Sequence, residues 1–177
     1  SIFNHFKHLN LSPGQEEALT KLAAFLEGPV QVFMLKGYAG SGKTTILAGL
    51  VEYLASIEKD FALMAPTGRA AKVIREKTGQ EAFTIHKSIY SYDNMMPVEE
   101  GDSFFYSYKI RNNVAVAGKI FIVDEASMLS DVKSEGEFFR FGTGHLLSDL
   151  ISYTRVAQPN VNSKIIFVGD PCQLPPV

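Results

Sequence analysis

"GYAGSGKTT", residues 37–45, decides how this chain folds. It satisfies G-x-x-x-x-G-K-[ST] at every fixed position through Gly37, Gly42, Lys43 and Thr44, with a further glycine at position 40. Glycines let successive backbone N–H groups turn inward on one anion, which a chain carrying Cβ atoms does only at a cost. The flanks suit the motif. "QVFMLK" (31–36) reads as a buried strand and "TTILAGLVEYLA" (44–55) as a helix, so the loop runs from a strand into a helix N-terminus. In that setting Gly37, Ala39, Gly40, Ser41, Gly42, Lys43, Thr44 and Thr45 form a phosphate cradle. The Lys43 ammonium reaches the β- and γ-phosphates and the Thr44 hydroxyl ligates Mg²⁺. A flexible glycine loop before an ordinary helix is the plainer alternative, and the strand-loop-helix context opposes it.

Outward from the loop, apolar strands are expected at 31–36, 61–65 ("FALMA"), 119–124 ("KIFIVD") and 164–170 ("KIIFVGD"). Helical patterns lie at 13–27, 44–57, 69–78 and 145–156. Strands apolar on both faces, alternating with helices, predict an α/β domain whose parallel sheet is covered on both sides. The chain has 177 residues, 46% of them hydrophobic, which suits one domain with a sizeable core. Its net charge of −2 excludes indiscriminate polycationic binding to nucleic acid. No apolar run approaches the roughly 18 residues of a membrane span, so no membrane partner is expected and a cytoplasmic location is the default. The single cysteine, Cys172, permits neither an internal disulfide nor a cysteine-rich zinc site.

The second chemical site is "KIFIVDEAS" (119–127), where four apolar residues run into Asp124 and Glu125. Two carboxylates at a strand's C-terminal end lie where α/β sheets place ligands. Asp124 suits the Mg²⁺ shell, and Glu125 suits orienting and deprotonating a water, which points to hydrolysis. An acidic strand end capping the next helix is the bland alternative. The third site is "FVGDPCQLPPV" (167–177), where the Gln173 amide can bond a γ-phosphate and lose that bond after cleavage.

In this order, "GYAGSGKTT", "APTGRAA" (65–71), "TIHKSIY" (84–90), "VDEASM" (123–128) and "GDPCQLPPV" (169–177) resemble the motifs of superfamily 1B, the RecD-like and Dda-like DNA helicases. The resemblance implies a P-loop NTPase of RecA-like fold that hydrolyses Mg²⁺-ATP to move along single-stranded DNA, 5′ to 3′ by resemblance alone, with a role in repair, recombination or replication. Carried over residue by residue, it makes Lys43 and Thr44 the phosphate and Mg²⁺ contacts, Asp124 and Glu125 the metal and water pair, and Gln173 the γ-phosphate sensor. Thr67, Arg69, Thr84, His86 and Lys87 fall where the family holds the single-stranded DNA backbone. Capping a helix is the plainer alternative for Thr67 and Thr84, and a satisfied core position for His86.

"LSPGQEEAL" (11–19) resembles the family's adenine-reading segment, with Gln15 as the reader. The same letters spell a capping box, with Ser12 at N-cap, Pro13 at N1 and Gln15 at N3. Residues 91–118 interrupt the alternation, and the resemblance implies a small inserted β subdomain here whose hairpin acts as a strand-separating pin. The expected hairpin turns at Asn112-Asn113, with Phe104, Phe105, Tyr106 and Tyr108 as its own core or as stacking surfaces. "SEGEFFRFGTGH" (134–145) reads as a loop. The resemblance also implies a second RecA-like domain, absent from these 177 residues, that supplies an arginine finger to a monomeric enzyme. A superfamily 1 RNA helicase, a P-loop ATPase independent of nucleic acid, and a non-catalytic nucleotide-gated module are the competing classes.

Overall fold

Ser12 opens the first helix as its letters require. In the computed structural model, which describes residues 1–93, 95–114, 117–158 and 160–171, α1 spans Pro13–Glu27. Both halves of the capping box form: the Gln15 N–H donates to Ser12 Oγ at 3.3 Å, and the Ser12 N–H to Gln15 Oε1 at 2.8 Å. The chain continues through β1 (Val32–Lys36), α2 (Lys43–Ser56), β2 (Phe61–Ala65), α3 (Gly68–Thr78), β3 (Ala82–Thr84) and α4 (Ile85–Ile89). After these come β4 (Met96–Glu100), β5 (Ser103–Tyr108), β6 (Ile120–Val123), β7 (Phe139–Phe141), α5 (Leu146–Thr154) and β8 (Lys164–Gly169). None of the described helices is long and apolar enough to cross a membrane.

Five strands form one parallel sheet in the order β1-β8-β6-β2-β3. Strand side chains alternate in direction, so an apolar run supplies two cores at once. Leu35, Leu63, Ile120, Ile122, Ile166 and Val168 pack with α1, α2 and α3 on one face. Met64, Phe121, Val123 and Ile165 pack with α4 and α5 on the other. The expected α/β fold with a parallel sheet flanked by helices is therefore what forms. A short 3-10 helix, Ile2–Phe6, which the sequence reading left unassigned, also enters the first core. Gly49 of α2 makes room for it, since a Cβ there would lie 2.2 Å from Phe6 Cζ.

Four expectations are corrected. β1 is an edge strand rather than a buried one: among the described residues it pairs only with β8, and Val32 and Met34 stand 43% and 59% exposed, because α4 and α5 cover the centre of that face and leave the β1 side open. An open apolar cavity of about 430 Å³ lies there, lined by Val32, Met34, Leu147, Ile151 and Phe167 among others. The hairpin turns at Gly101-Asp102, not at Asn112-Asn113; β4 and β5 pair antiparallel around Gly101, whose φ of 61° suits a residue without Cβ. The segment 134–145 is not all loop, because β7 pairs parallel with β5 and completes a three-stranded sheet. Three residues between glycines are too short for a period-two signal, and the partner lies about 30 residues upstream. Finally, the aromatics divide: Phe105 and Tyr108 are buried, whereas Phe104 is 49% exposed. Arg140 of β7 covers the Phe105 ring at 3.6 Å and bonds Glu100 at 3.1 Å.

Candidate active site

The C-terminal ends of the five parallel strands meet along one edge, and strand order sets the order of functional groups there. From β1 comes the glycine loop, from β8 Asp170, from β6 Asp124 and Glu125, from β2 Thr67 and Arg69, and from β3 Thr84 with His86 and Lys87 beyond it.

The glycine loop is a built cradle. Gly40 and Gly42 have φ of 76° and 83°, and a Cβ at Gly37 would lie 2.4 Å from Ser41 Oγ. Glycine takes these left-handed turns without the strain that a side chain brings. Lys43 opens α2, and its ammonium curls back over the loop to the carbonyls of Gly37 and Tyr38, the latter at 2.9 Å. Thr44 and Thr45 are half-buried and line a cavity of about 380 Å³ with His5, His8, Leu9 and Lys77. A turned-in loop, a lysine above it and a helix N-terminus behind it are the donor set a nucleoside triphosphate requires, with Thr44 and Asp124 offering oxygens to Mg²⁺. The residues present fit both groups.

Gln15 makes the cap that its letters spell and reaches the glycine loop as well. Its Oε1 completes the capping box while its Nε2 donates to the Ser41 carbonyl at 3.2 Å, tying α1 to the loop. An amide has two donor hydrogens and two acceptor lone pairs, so one of each remains for a base edge. We expect Gln15→Ala to lower stability by about 1 kcal/mol through the lost cap, and also to erode preference for ATP over GTP. Thermal melts and competition binding of the two nucleotides check it; unchanged base preference would leave the cap as the only role.

Asp170 was noted in the sequence only as a strand end. Its carboxylate accepts the Ala39 N–H at 3.0 Å, and the Gly37 N–H donates to the Gly169 carbonyl at 3.2 Å. The strand that leads to Gln173 thereby holds the phosphate loop directly. No sequence period announces such a contact, because 131 residues separate its partners. Gln173 itself, with Cys172–Val177, lies outside the described residues.

Asp124 and Glu125 follow the fully buried β6. Burial pushes the Asp124 carboxyl above the usual carboxylate range, with the Glu125 backbone N–H and the charges of Lys43 and Lys77 opposing it. Glu125 takes a left-handed backbone, φ 52° and ψ 37°, at the start of a 3-10 turn, Ala126–Met128. Within the next residues Ser127 Oγ is buried without a hydrogen-bond partner among the described residues. Asp124 and Glu125 share a cavity of about 210 Å³ with Thr67 and Arg69, so the carboxylate pair and the "APTGRAA" segment face one space.

The caps anticipated for Thr67 and Thr84 are made: Thr67 Oγ1 accepts from the Ala70 N–H and Thr84 Oγ1 from the Lys87 N–H, each at 3.2 Å. The His86 ring is half-buried against Phe141 (5.0 Å) and Tyr90 (5.4 Å), and burial lowers its pKa, so it is neutral at pH 7. Arg69 and Lys87 are exposed, and Lys87 stands 4.4 Å over the Phe83 ring. Thr84, His86 and Lys87 lie outside the carboxylate cavity, one strand further along the sheet edge.

A parallel α/β sheet with this loop and this carboxylate pair at its C-terminal edge defines a P-loop nucleotide-binding domain of RecA-like fold. Residues 10–138 match the family described as "AAA domain", and the chain belongs to that family. It is 32% identical over 153 residues to an uncharacterised protein of Methanocaldococcus jannaschii, covering 83% of this chain and 12% of that protein. It is 25% identical to the ATP-dependent RecD2 DNA helicase of Deinococcus radiodurans, over 94% of this chain and 18% of the relative. To the ATP-dependent DNA helicase dda of Enterobacteria phage T4 it is 29% identical, over 67% and 26% respectively. The crystal structure of Pif1 helicase from Candida albicans shares the fold, with a TM-score of 0.56 at 21% identity over 96% of this chain and 34% of that one. The resemblance to the RecD-like and Dda-like group read from the motifs thus stands. The chain spans well under half the length of each of these proteins.

Proposed function

We propose that this chain is the ATP-hydrolysing half of a DNA helicase motor. The observation that carries it is the strand order: nucleotide groups on β1, β8 and β6 adjoin the candidate DNA-contact groups on β2 and β3, with Thr67 and Arg69 in the same cavity as Asp124 and Glu125. Mg²⁺-ATP supplies the phosphoanhydride whose cleavage drives movement. The glycine loop and Lys43 bind and orient its phosphates, while Thr44 and Asp124 would hold the metal. Glu125 takes the proton from the attacking water, and Gln173 registers the γ-phosphate. Arg69 and Lys87 bind a nucleic-acid backbone by charge, Thr67 and Thr84 by hydroxyls already seated at helix starts, and neutral His86 by ring contact or a single hydrogen bond. Gln15 reads adenine with its remaining donor and acceptor. A second RecA-like domain closes the site and supplies the later groups, and travel is 5′ to 3′ on single-stranded DNA in a monomeric, cytoplasmic enzyme.

The deciding experiment is ATPase of the full-length protein with no nucleic acid, with single-stranded DNA, and with the matched RNA. Stimulation by DNA above RNA is the expected result. Equal stimulation would replace the DNA reading with an RNA helicase, and no stimulation would leave an ATPase independent of nucleic acid.

A further inference from the structure

Asp149 carries a charge into the second core, where it is 1% exposed, and no step of the proposed function uses it. Burying a carboxylate is costly unless it is fully bonded, and an apolar side chain of like size in its place is often neutral or stabilising. A purely packing role is therefore poorly served by this residue type. Its partners suggest another. The carboxylate accepts from Tyr90 Oη at 2.6 Å, from the Thr143 N–H at 3.1 Å and from Thr143 Oγ1 at 2.7 Å. Tyr90 directly follows α4, and Thr143 lies just beyond β7. Gly142, at φ 52°, lets the backbone approach, since a Cβ there would lie 2.2 Å from Asp149 Oδ2 and 2.8 Å from Tyr90 Cε1.

Two strands of the inserted sheet, β5 and β7, end at this point, and β4 is held through its pairing with β5. The chain enters at Tyr90, which bridges Ile110, and the Ser91 N–H donates to the Lys109 carbonyl at 2.8 Å. It leaves at Arg111, whose side chain donates to the carbonyls of Tyr90 and Lys87, fastening the end of α4. The third strand joins when the Gly142 N–H donates to the Tyr108 carbonyl at 2.8 Å. On the other side, Asp131 accepts from the Ser148 N–H and hydroxyl, which ties the start of α5 to the segment leaving Glu125.

We propose that Asp149 is a positioning residue that locks the inserted three-stranded sheet and the α4 end carrying His86 and Lys87 to α5, so that both move with the sheet bearing the carboxylate pair. The mechanical half stands on the contacts above; the consequence for nucleic acid rests on the helicase reading.

The test uses the full-length protein with Tyr90→Phe, Thr143→Val, the double variant, Asp149→Asn and Asp149→Leu. Hydrogen–deuterium exchange should speed by roughly 10- to 100-fold in 85–90, 96–108 and 139–143 in the double variant and in Asp149→Leu, the size expected for lost bonds to a charged group. Amides of β1, β2, β6, β8 and α2 should be unchanged. Asp149→Asn, whose oxygen can still accept from Tyr90 Oη and the Thr143 N–H while its amide N–H donates to Thr143 Oγ1, should stay near wild type. Uniform acceleration across both sheets, or a Leu variant that exchanges like wild type, overturns the lock. In the same variants KM for ATP and turnover without DNA should hold, while the single-stranded DNA concentration giving half-maximal stimulation rises about tenfold, the lower end of that range. A loosened insertion with unchanged DNA response overturns the positioning role. A wild-type enzyme indifferent to DNA defeats the helicase reading instead, and the exchange data alone then decide the lock.

Discussion

Lys43→Ala should abolish nucleotide binding or weaken it severely, while Glu125→Gln should keep ATP affinity near wild type and lower turnover by about 10²–10⁴. The asymmetry follows from what each group touches. Lys43 is half-buried at the start of α2 with its ammonium folded over the loop's carbonyls, where a compact charge meets phosphate already in the ground state. Removing it forfeits binding whether or not reaction follows. Glu125 stands at the end of β6, beside rather than inside the cradle, and its contribution arises as the water loses its proton. A glutamine keeps its shape and removes its basicity. Equilibrium titration with a fluorescent ATP analogue, beside single-turnover hydrolysis, separates the two effects. Equal loss of affinity in both variants would sink the division of roles.

The second large effect concerns the chain by itself. As 177 residues it should bind Mg²⁺-ATP yet hydrolyse it roughly 10³–10⁵-fold more slowly than the same chain joined to a second RecA-like domain, the range attributed to an arginine finger. Four of its arginines have structural duties away from the glycine loop: Arg75 bonds the Ala82 carbonyl, Arg111 the end of α4, Arg140 covers Phe105, and Arg155 bonds Gln158 and the Asn113 carbonyl. Arg69 alone lines a cavity with the carboxylate pair, on the β2 side of it, away from β1 where the phosphates are cradled. Among the described residues, then, no arginine stands over the glycine loop to serve beside Lys43. Steady-state ATPase of the short and extended proteins, each with single-stranded DNA, is the measurement. Comparable rates would show that Arg69 or another group already serves as the finger.

Legibility in the sequence depended on whether a feature was local. The capping box at Ser12, the glycine loop and the apolar run into Asp124 each lie within a few residues, so spacing alone fixed them, and α1 and β2 fall on their expected bounds. The sheet edge was not local: "QVFMLK" is as apolar as a central strand, and only the strand order shows that it stands outermost among the described strands. β7 was hidden because its partner comes from another part of the chain. Asp170 and Asp149 act through partners far from them in sequence, 131 residues in one case and 59 in the other. Aspartates at a strand end and mid-helix carry no mark of such duty. The cap at Gln15 was legible in the spacing, and the structure forms it while leaving half of the amide's bonding capacity over.

The left-handed backbone at Glu125 has a bearing on how this domain ages under mutation. A residue with a Cβ held there costs roughly 1–3 kcal/mol relative to a relaxed conformation, and glycine would escape most of that. If Glu125 takes the proton as proposed, folding and chemistry pull this position in opposite directions: drift toward robustness leads to the residue that cannot take a proton, and the acid persists only as long as turnover is under selection. A domain of this fold released from that demand would become sturdier at this turn as it fell silent.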